Sequence, residues 1–479
     1  MGTGNETRSR TCGETRMTRG AAALPRHAAD VRTSRRAFLW QAATPALAAL
    51  APTVISRTAL GLGAAAAPSD RITLGFIGVG CMGQGHLAAL LRYPDVQVAA
   101  VCDVDTWRRE NAQRVVDEAY AARRTAGDHA GCIAYVDFRD ILARDDIDAV
   151  VISLGDRWHA VATVMAAEAG KDIYVEKPVS LRIAETRAMV EAVRRHGRIC
   201  QVGLQQRSAP EFRMATRLVR EGALGRIRRI YTIHNSVSSD VDLPAEPTPE
   251  TLDWDRWIGP SPWRPFNQRL HYLGKPLNVV PWEFVRDFGG GGITSGAVHA
   301  LDVVQWALDR DASGPREIVA PESGQVSHVT FLYDNDVQVR ITDGRLNRRH
   351  HEIPEGWDEL TSLQPFGGLY VGDNGWLHVG RGGFLTTYPE EILRDRAGAY
   401  DHMRTVEGHH RNWLDCIRNR RQPHCDIAVG AQSTIVAHLG CISRWLGRRL
   451  KWDPAREEFL GDDEANRMRG RALREPWRV

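Results

Sequence analysis

The stretch ITLGFIGVGCMGQGH occupies residues 72–86 and leads from a continuous apolar segment into three spaced glycines, Gly78, Gly80 and Gly83. The apolar part predicts a buried strand over residues 72–79, and the residues that follow the turn predict a helix. A strand, a tight glycine turn and a helix in this order begin a βαβ unit, in which neighbouring strands run parallel.

The same alternation continues from this unit as far as residue 203. Further strands are predicted at 96–102, 147–153, 172–175 and 199–203, and helices at 82–91, 106–123, 159–169 and 183–195. Because parallel strands are joined through crossover helices, the pattern predicts an α/β fold with a doubly wound parallel sheet of the Rossmann type. We place this domain at residues 68–206.

The sequence changes character after residue 207. A β-rich run at 227–237 precedes a proline- and tryptophan-rich segment at 243–281, which predicts an extended connection because proline interrupts helices and ladders. Hairpins are predicted around Asp334-Asn335-Asp336 and Asp373-Asn374-Gly375, and two closing helices at 403–420 and 428–446. Residues 207–479 therefore predict a second α/β domain with a largely antiparallel sheet.

The composition excludes several classes of protein. The 479 residues are 43% hydrophobic and 25% charged, with a net charge of +3 at pH 7, which is ordinary for a globular chain. No basic patch interleaved with aromatic residues is present, so nucleic acid is not an expected partner. The eight cysteines are scattered without a C-x-x-C pair, so neither a disulfide scaffold nor a metal site is predicted.

The N-terminal segment predicts export. Ser34-Arg35-Arg36-Ala37-Phe38-Leu39 is a twin-arginine signature, and it is followed by an apolar run at 39–55 and four alanines at 64–67. We therefore interpret residues 1–67 as a signal peptide and leader for the twin-arginine export machinery, and we expect a periplasmic protein. An uncleaved leader that anchors the protein in the membrane is the alternative.

The glycine turn and the end of the second strand predict a dinucleotide site. The glycines permit close approach of the backbone to a diphosphate, which would meet the start of the helix at Cys81 and Met82. Asp103 ends the second strand, 20 residues beyond Gly83. A carboxylate there accepts hydrogen bonds from the ribose hydroxyls and repels a 2′-phosphate, so NAD is favoured over NADP.

A lysine and a histidine follow two further strands. Glu176-Lys177-Pro178 stands at the carboxyl edge of the predicted sheet, where open α/β sheets bind ligands, and Glu176 is expected beside the cofactor. Lys177 could hydrogen-bond a substrate hydroxyl and assist its deprotonation, or it could be a surface lysine paired with Glu176. His159 could line a nicotinamide, or it could cap its helix.

A second candidate for proton transfer follows a run of four glycines. Gly289–Gly292 predicts a flexible loop before a helix, on which Ser295 and His299 are four residues apart and share a face with Asp302. An imidazole at 299 could take or return a hydroxyl proton, although the spacing by itself is more typical of a helix-surface histidine. The remaining histidines are expected on solvated faces; they include His402, His409 and His410.

Several of these segments, in this order, resemble the Gfo/Idh/MocA family and its twin-arginine-exported bacterial branch. That family includes glucose-fructose oxidoreductase and inositol dehydrogenases. The likeness extends from residue 71 to residue 479. The segments that carry it are GFIGVGCMGQGH, VCDVD, EKPVS, GLQQRS, LDWDRWIGPSPWRPFN, GGGGITSGAVHALDVVQWAL, HHRNWLDCIRNRRQP and DDEANRMRGRALREPW.

The resemblance implies a fold, a reaction and roles for single residues. It implies a Rossmann domain followed by an α/β domain with a large open, mostly antiparallel sheet, which relatives often use to form homo-oligomers. It implies hydride transfer between a nicotinamide and a hydroxyl-bearing carbon of a sugar, cyclitol or derivative. Lys177 matches the family's catalytic lysine, His299 matches its histidine, and Trp282 stands where a tryptophan lies next to the cofactor.

The chain departs from the family pattern at positions that matter for proton transfer. Ser295 replaces the family's aspartate, Glu283 replaces the arginine expected after Trp282, and Leu154-Gly155 replaces a Thr-Pro pair. A serine does not accept a proton as a carboxylate does. Two further functions therefore stay open: an NAD-dependent glycosidase that acts by transient oxidation and elimination, and a catalytically impaired sugar- or cofactor-binding protein.

Overall fold

A computed structural model describes residues 70–125, 129, 131–271, 281–321, 328–403 and 408–479. The twin-arginine signature and the rest of the predicted leader lie outside the described residues. Within the described residues, no helix is both long enough and apolar enough to cross a membrane.

The first sheet has six parallel strands in the order β3-β2-β1-β4-β5-β6. This is the doubly wound order, so the predicted Rossmann fold is confirmed. Five of its strands lie where the apolar runs predict them, and β3 is additional. The strands are β1 (Ile72–Ile77), β2 (Val96–Cys102), β3 (Ile133–Tyr135), β4 (Ala149–Ile152), β5 (Asp172–Val175) and β6 (Cys200–Val202).

Helices connect these strands and bury their apolar sides against the sheet. Asp105 begins the second of them by accepting a hydrogen bond from the backbone N–H of Arg108, as an N-cap residue does. The helices are α1 (Cys81–Leu90), α2 (Thr106–Ala119), α3 (Ala121–Thr125), α4 (Phe138–Leu142), α5 (Asp156–Glu168) and α6 (Ile183–Arg195).

The second sheet has nine strands in the order β13-β12-β11-β7-β10-β9-β8-β14-β15. All neighbours are antiparallel except β7 and β10, so the predicted, mostly antiparallel sheet is confirmed, together with both predicted hairpins. The strands are β7 (Ile227–Thr232), β8 (Glu317–Val319), β9 (Val329–Leu332), β10 (Gln338–Ile341), β11 (Gly368–Gly372), β12 (Gly375–Gly380), β13 (Phe384–Tyr388), β14 (Leu450–Asp453) and β15 (Glu458–Phe459).

The helices of the second region cover this sheet and return to the first one. They are α7 (Pro210–Arg220), α8 (Trp254–Ile258), α9 (Val298–Ala307), α10 (Glu391–Arg394), α11 (Ala397–Met403), α12 (His409–Asn419), α13 (Ile427–Leu446) and α14 (Asp463–Arg467). Trp413 and Leu414 of α12 are fully buried in one apolar cluster with Leu74 and Val151 of the first sheet. The chain after residue 207 therefore completes the core of the Rossmann sheet.

His409 and His410 lie on this returning helix, and the prediction that they face solvent is wrong. The Nε2 atom of His409 lies 3.0 Å from the carbonyl oxygen of Val202, and burial lowers the pKa of this imidazole to about 3. The Nε2 atom of His410 lies 2.9 Å from Nδ1 of His86. The polar sequence around both histidines conceals the burial of His409 and the partial burial of His410, because the apolar face of α12 turns toward the first sheet.

The four glycines at 289–292 form a packed segment and not the predicted flexible loop. All four are buried, and a Cβ atom at Gly289 would lie 2.7 Å from the Cα atom of Glu283. Gly291 has a φ of +85°, and a Cβ atom there would lie 2.6 Å from the backbone nitrogen of Ser238. These glycines therefore permit close contact between backbone segments. A π-helical turn at Ile293–Ala297 follows and leads into α9.

The segment rich in proline and tryptophan forms a small core of its own. Trp254 and Trp257 stack with ring centroids 4.4 Å apart, and both pack with Phe288. The Arg157 guanidinium lies 3.9 Å from the ring centroid of Trp257 and donates to its carbonyl oxygen. This cluster therefore joins the extended connection to the start of α5.

Candidate functional site

A cleft of about 880 Å³ opens at the carboxyl ends of the strands of the first sheet. In an open α/β sheet this edge is where ligands bind. One side of the cleft is lined by the glycine turn and the end of β2, and we call it the cofactor half. The other side is lined by residues of both sheets around Lys177, and we call it the substrate half.

The glycine turn is shaped so that a diphosphate could approach its backbone. A Cβ atom at Gly78, whose φ is +85°, would lie 2.5 Å from the carbonyl oxygen of Ser153. Gly80 is the N-cap residue of α1 and has no side chain to cover the first turn, and a Cβ atom there would meet a guanidinium nitrogen of Arg108 at 3.5 Å. The start of α1 at Cys81 therefore faces the cleft as an anion site does.

Gly83 has a different role from the other two glycines. It does not line the cleft, and a Cβ atom there would lie 2.2 Å from the carbonyl oxygen of Gly78. Gly83 therefore permits the close packing of α1 on the turn, which is the function of the third glycine in a dinucleotide-binding turn. Met82 lines the cleft as predicted.

Asp103 lies where the sequence places it, at the end of β2 and on the cleft. One carboxylate oxygen accepts the N–H of Val79 at 3.0 Å, and the other accepts the N–H of Asp105 at 3.0 Å. The carboxylate thus fixes the glycine turn and presents negative charge where the adenosine ribose of a dinucleotide would lie. The turn, the helix start and this acid together fit NAD, and a 2′-phosphate would be repelled.

Trp282 lies at the junction of the two halves. A Cβ atom at Gly155 would lie 3.5 Å from its indole ring, and the Arg157 guanidinium is 5.6 Å from the ring centroid. The glycine that replaces the proline of the usual family pattern leaves space for the Arg157 side chain, since a Cβ atom would meet its guanidinium. Trp282 lines the cleft, as predicted for a residue beside the nicotinamide.

His159 neither lines the cleft nor caps α5 through its side chain. The ring is 1% exposed, with Nδ1 2.6 Å from the carbonyl oxygen of Pro178 and Nε2 3.0 Å from that of Leu154. The expectation that His159 contacts the cofactor is therefore corrected. The ring ties the loop after β4 to the loop that carries Lys177, so its role is to position both.

The buried carboxylate of Glu176 holds the backbone of the loop that carries Lys177. Its carboxylate accepts hydrogen bonds from His86 at 2.8 Å and Gln205 at 3.2 Å, and it also accepts the N–H of Lys177. Burial would raise the pKa of Glu176, but the hydrogen bond and charge of His86, with Lys177, lower it to about 2. A Cβ atom at Gly203 would lie 2.3 Å from this carboxylate, so the glycine leaves the space for it.

Lys177 points into the substrate half of the cleft. Its Nζ atom donates to the carbonyl oxygen of Ser295 at 3.0 Å, so Lys177 is not the surface ion pair with Glu176 that the sequence also allows. Ser295 lies in the π-helical turn, a feature that often marks functional sites. The structure thus brings Lys177, Ser295 and His299 together on one wall.

His299 is buried in this wall, so the interpretation as a helix-surface histidine is wrong. The residue is 4% exposed, and its Nδ1 atom has no hydrogen-bond partner among the described residues. Burial lowers the pKa of His299 well below its ordinary value, and the positive charges of Lys177 and Arg381 lower it further. A neutral imidazole in this place can hydrogen-bond a substrate hydroxyl.

Asp302 belongs to the core and not to the site. Both of its carboxylate oxygens accept hydrogen bonds from Arg207, at 2.8 to 3.0 Å, and Ser433 donates to it at 2.8 Å. The residue is fully buried and does not line the cleft. Asp302 therefore has no catalytic role, although it follows His299 by three residues on the same helix.

Three residues of the substrate half carry no motif and are found only in the structure. His234 and Phe366 both have positive φ angles, 77° and 59°, and their rings stack with centroids 4.8 Å apart. The guanidinium of Arg381 lies 4.1 Å from the Phe366 centroid. Backbone strain of this kind at non-glycine residues concentrates at functional sites.

Comparisons with known proteins agree with this geometry. A family model described as an oxidoreductase family with an NAD-binding Rossmann fold matches residues 72–204, and the model of its C-terminal alpha/beta domain matches residues 230–351 and 378–479. The uncharacterized oxidoreductase YrbE of Bacillus subtilis is 34% identical over 159 residues, which cover 33% of this chain and 42% of that protein. A glycosyl hydrolase family 109 protein of Shewanella pealeana is 30% identical over 203 residues, 42% of this chain and 41% of its own.

Solved structures show the same fold at low sequence identity. An aldose-aldose oxidoreductase from Caulobacter crescentus, complexed with glycerol, has a TM-score of 0.51 at 16% identity, covering 80% of this chain and 99% of its own. The WlbA dehydrogenase of Chromobacterium violaceum, in complex with NADH and UDP-GlcNAcA, has a TM-score of 0.52 at 18% identity, with coverages of 80% and 96%.

The extent of these matches decides what they establish. The matched part of the chain spans about two fifths of the length of the curated relatives, so their activities are not transferred with the match. The two domain models, in contrast, match most of the chain and both of its sheets. The chain therefore belongs to the Gfo/Idh/MocA oxidoreductase family, whose Rossmann fold binds NAD.

Proposed function

We propose that this protein is an NAD-dependent oxidoreductase that exchanges hydride with a hydroxyl-bearing carbon of a sugar, cyclitol or related polyol. The observation that carries the proposal is a single cleft lined on one side by Gly78, Gly80 and Asp103 and on the other by Lys177 and His299. A cofactor held by the first group would present its reactive end to the second.

Several residues of the protein would have separate roles in that reaction. The bound nicotinamide supplies hydride acceptance and donation. The Nζ atom of Lys177 would donate a hydrogen bond to the substrate oxygen, and the Nδ1 atom of the neutral His299 ring, which has no partner among the described residues, would hydrogen-bond a substrate hydroxyl. Glu176 holds the backbone of Lys177 in place, and Trp282 closes the junction between the halves.

The substrate half supports a sugar-like substrate. The stacked rings of His234 and Phe366 offer an aromatic surface, and sugars place their apolar faces on such surfaces. Arg381 lies beside Phe366 and provides several N–H donors for hydroxyl groups. Solved relatives of this fold hold glycerol in one case and a nucleotide sugar in another, which agrees with a polyhydroxylated substrate.

Isotope transfer tests the proposal. A panel of polyols and sugars carrying deuterium on the hydroxyl-bearing carbons is mixed with the protein and NAD⁺, and the nicotinamide is then analysed by mass spectrometry. The proposal predicts deuterium on the nicotinamide for at least one compound, and none with Lys177→Met. Binding of NAD⁺ without any transfer across the panel would favour the cofactor-binding protein that lacks catalysis.

A glycosidase that uses NAD transiently is the second candidate, and the similarity to glycosyl hydrolase family 109 proteins favours it. In that reaction hydride leaves the sugar, the glycosidic bond breaks by elimination, water adds to the resulting double bond, and the hydride returns to the same sugar. Net redox change is then zero. Release of the phenol from an aryl glycoside, without added cofactor and with deuterium retained in the sugar, would support this candidate and exclude simple dehydrogenation.

Export through the twin-arginine route is a further part of the proposal. The support for it is the Ser34–Leu39 signature, and a route that carries folded proteins suits an enzyme that keeps its cofactor bound. The double variant Arg35→Lys, Arg36→Lys should accumulate inside the cell, which fractionation would detect. Homo-oligomerisation through the nine-stranded sheet stays a prediction.

A further inference from the structure

Two further carboxyl groups, those of Asp156 and Glu283, lie in the substrate half. Asp156 is the first residue of α5 and follows the carboxyl end of β4, whereas Glu283 lies in the short turn Pro281–Phe284. Both line the cleft, and Asp156 is 4% exposed. They therefore reach the surroundings of Lys177 from two distant parts of the chain.

The backbone fixes the position of Glu283. Its carbonyl oxygen accepts the N–H of Gly291 at 2.9 Å, and its Cα atom packs where a Cβ atom of Gly289 would otherwise lie. Every residue with a side chain at 289 would push the turn outward. The run of glycines therefore sets the distance between Glu283 and the wall of the cleft.

Ser295 connects Glu283 to the lysine. Its side chain lies close enough to the Glu283 carboxyl to lower the pKa of that group, and its carbonyl oxygen accepts the Nζ–H of Lys177 at 3.0 Å. A serine hydroxyl can donate to a carboxylate but cannot hold the reaction's proton itself. The carboxylate that could hold it therefore lies beside residue 295.

The electrostatics of the two carboxyls are coupled. Burial raises the pKa of Glu283, and the charge of Lys177 and the Ser295 hydrogen bond offset only part of this. Burial and the charge of Glu283 together raise the pKa of Asp156 well above its ordinary value. The charge of one carboxylate therefore disfavours ionisation of the other.

We propose that Glu283 accepts and returns the substrate proton in this site. This inference rests on the proposed function and assigns the proton acceptor within it. In oxidation, the C–H hydrogen would leave with its bonding electron pair as a hydride for the nicotinamide. The O–H bond breaks as its proton passes from the substrate oxygen to a carboxylate oxygen of Glu283, and the electron pair left on that oxygen forms the second bond of the C=O group.

Glu283→Gln tests the assignment with the least disturbance, because glutamine keeps a hydrogen-bond acceptor for Ser295. We expect kcat to fall by about 10²- to 10³-fold, with KM and NADH affinity nearly unchanged. The wild type should lose activity as the pH falls through the raised pKa of Glu283, above the ordinary range of glutamate, and the variant should lack this limb. The control is Asp240→Asn, an exposed carboxylate that faces Arg286.

Relocation of the carboxylate gives a sharper test. Adding Ser295→Asp to Glu283→Gln returns a carboxylate to the side of Lys177, at the position where relatives carry one. We expect the double variant to recover at least about tenfold of the lost kcat, with a new pH limb of its own. Failure of both recovery and the new limb, in a double variant that still binds NADH, would contradict the assignment.

Infrared difference spectra provide a readout that needs no turnover. At neutral pH the wild type should show the carbonyl stretch of a buried protonated carboxyl, and Asp156→Asn should remove this band. Glu283→Gln should remove a second carboxyl that titrates between neutral and acidic pH. If neither band exists and Glu283→Gln keeps the wild-type pH profile, the inference is wrong. Absence of hydride transfer in every variant, with both bands present, would instead overturn the proposed function.

Discussion

The cofactor half and the substrate half of the cleft are built by different means. In the cofactor half, backbone and absent side chains form the surface: Gly78 and Gly80 leave space, Gly83 permits packing, and Asp103 braces the turn through Val79. In the substrate half, side chains from separate segments converge on Lys177. The first half depends on steric fit within one βαβ unit, whereas the second depends on which groups carry protons.

The two halves should therefore be sensitive to different perturbations. The cofactor half is shaped mainly by backbone, so cofactor affinity should change little with pH and strongly with added side-chain volume. The substrate half contains a neutral histidine and carboxyls with raised pKa values, so its activity should depend on pH. Substitutions in one half should therefore change either cofactor affinity or the pH-dependent activity, but not both.

Loss of the lysine should have the largest effect and should be confined to the substrate half. We expect Lys177→Met to reduce kcat by about 10³- to 10⁴-fold, because it removes the donor that contacts the substrate oxygen. NADH affinity, measured by fluorescence titration, should stay within about twofold of the wild type. Lys451→Met is the matched control, because Lys451 is an exposed residue of β14. A comparable loss of NADH affinity in Lys177→Met would show that the halves are not separable.

An added methyl group at Gly83 should produce the next largest effect, now in the cofactor half. Its Cβ would lie 2.2 Å from the Gly78 carbonyl oxygen, so Gly83→Ala must displace the turn from α1. Overpacking of this kind costs about 1–3 kcal/mol, which corresponds to roughly 5- to 150-fold weaker NADH binding if it falls on the bound state. Gly85→Ala, in the same helix with no atom within 4 Å of its Cβ, should bind NADH normally.

Neutralisation of Asp103 should change cofactor choice more than catalysis. With the negative charge removed, Asp103→Asn should reduce the preference for NAD over NADP by about tenfold, since the amide no longer repels a 2′-phosphate. Calorimetric titration with both dinucleotides measures the ratio. An unchanged ratio would mean that Asp103 supports the turn through Val79 and has no contact with the ribose.

The smallest expected effect concerns stability at mildly acidic pH. Burial lowers the pKa of His410 to about 4, so between pH 6.5 and 4 the unfolded chain binds a proton that the folded chain does not. This contribution is fully present above pH 6.5 and is lost as the pH falls toward 4. The wild type should therefore lose about 2 kcal/mol more than His410→Gln between pH 7 and pH 5 in urea unfolding. Equal losses in the two proteins would contradict this.

The sequence predicts the cofactor half well because that half is local. Gly78 to Gly83 and Asp103 lie within one strand-turn-helix-strand unit, so their spacing alone fixes their geometry. The substrate half is different. Glu283 reaches Ser295 only because Gly289 and Gly291 draw the turn inward, and that packing has no signature in the sequence around Glu283.

The environments of the histidines also could not be predicted from the sequence. His159 follows β4, where a residue beside the cofactor is expected, yet both of its ring nitrogens face backbone carbonyl oxygens. His409 has polar neighbours in the sequence and is buried by a sheet more than 200 residues away along the chain. The environment of an imidazole depends on tertiary contacts, and periodicity does not report these.

Dinucleotide binding to the purified protein, after removal of any nucleotide that copurifies, shows whether the glycine turn is the cofactor site. Calorimetric titration should show NAD⁺ binding to the wild type and to Gly85→Ala, weaker binding of NADP⁺, and clearly weaker NAD⁺ binding to Gly83→Ala. If the folded wild type binds neither dinucleotide, or if Gly83→Ala binds NAD⁺ as tightly as the wild type does, the glycine turn is not the cofactor site.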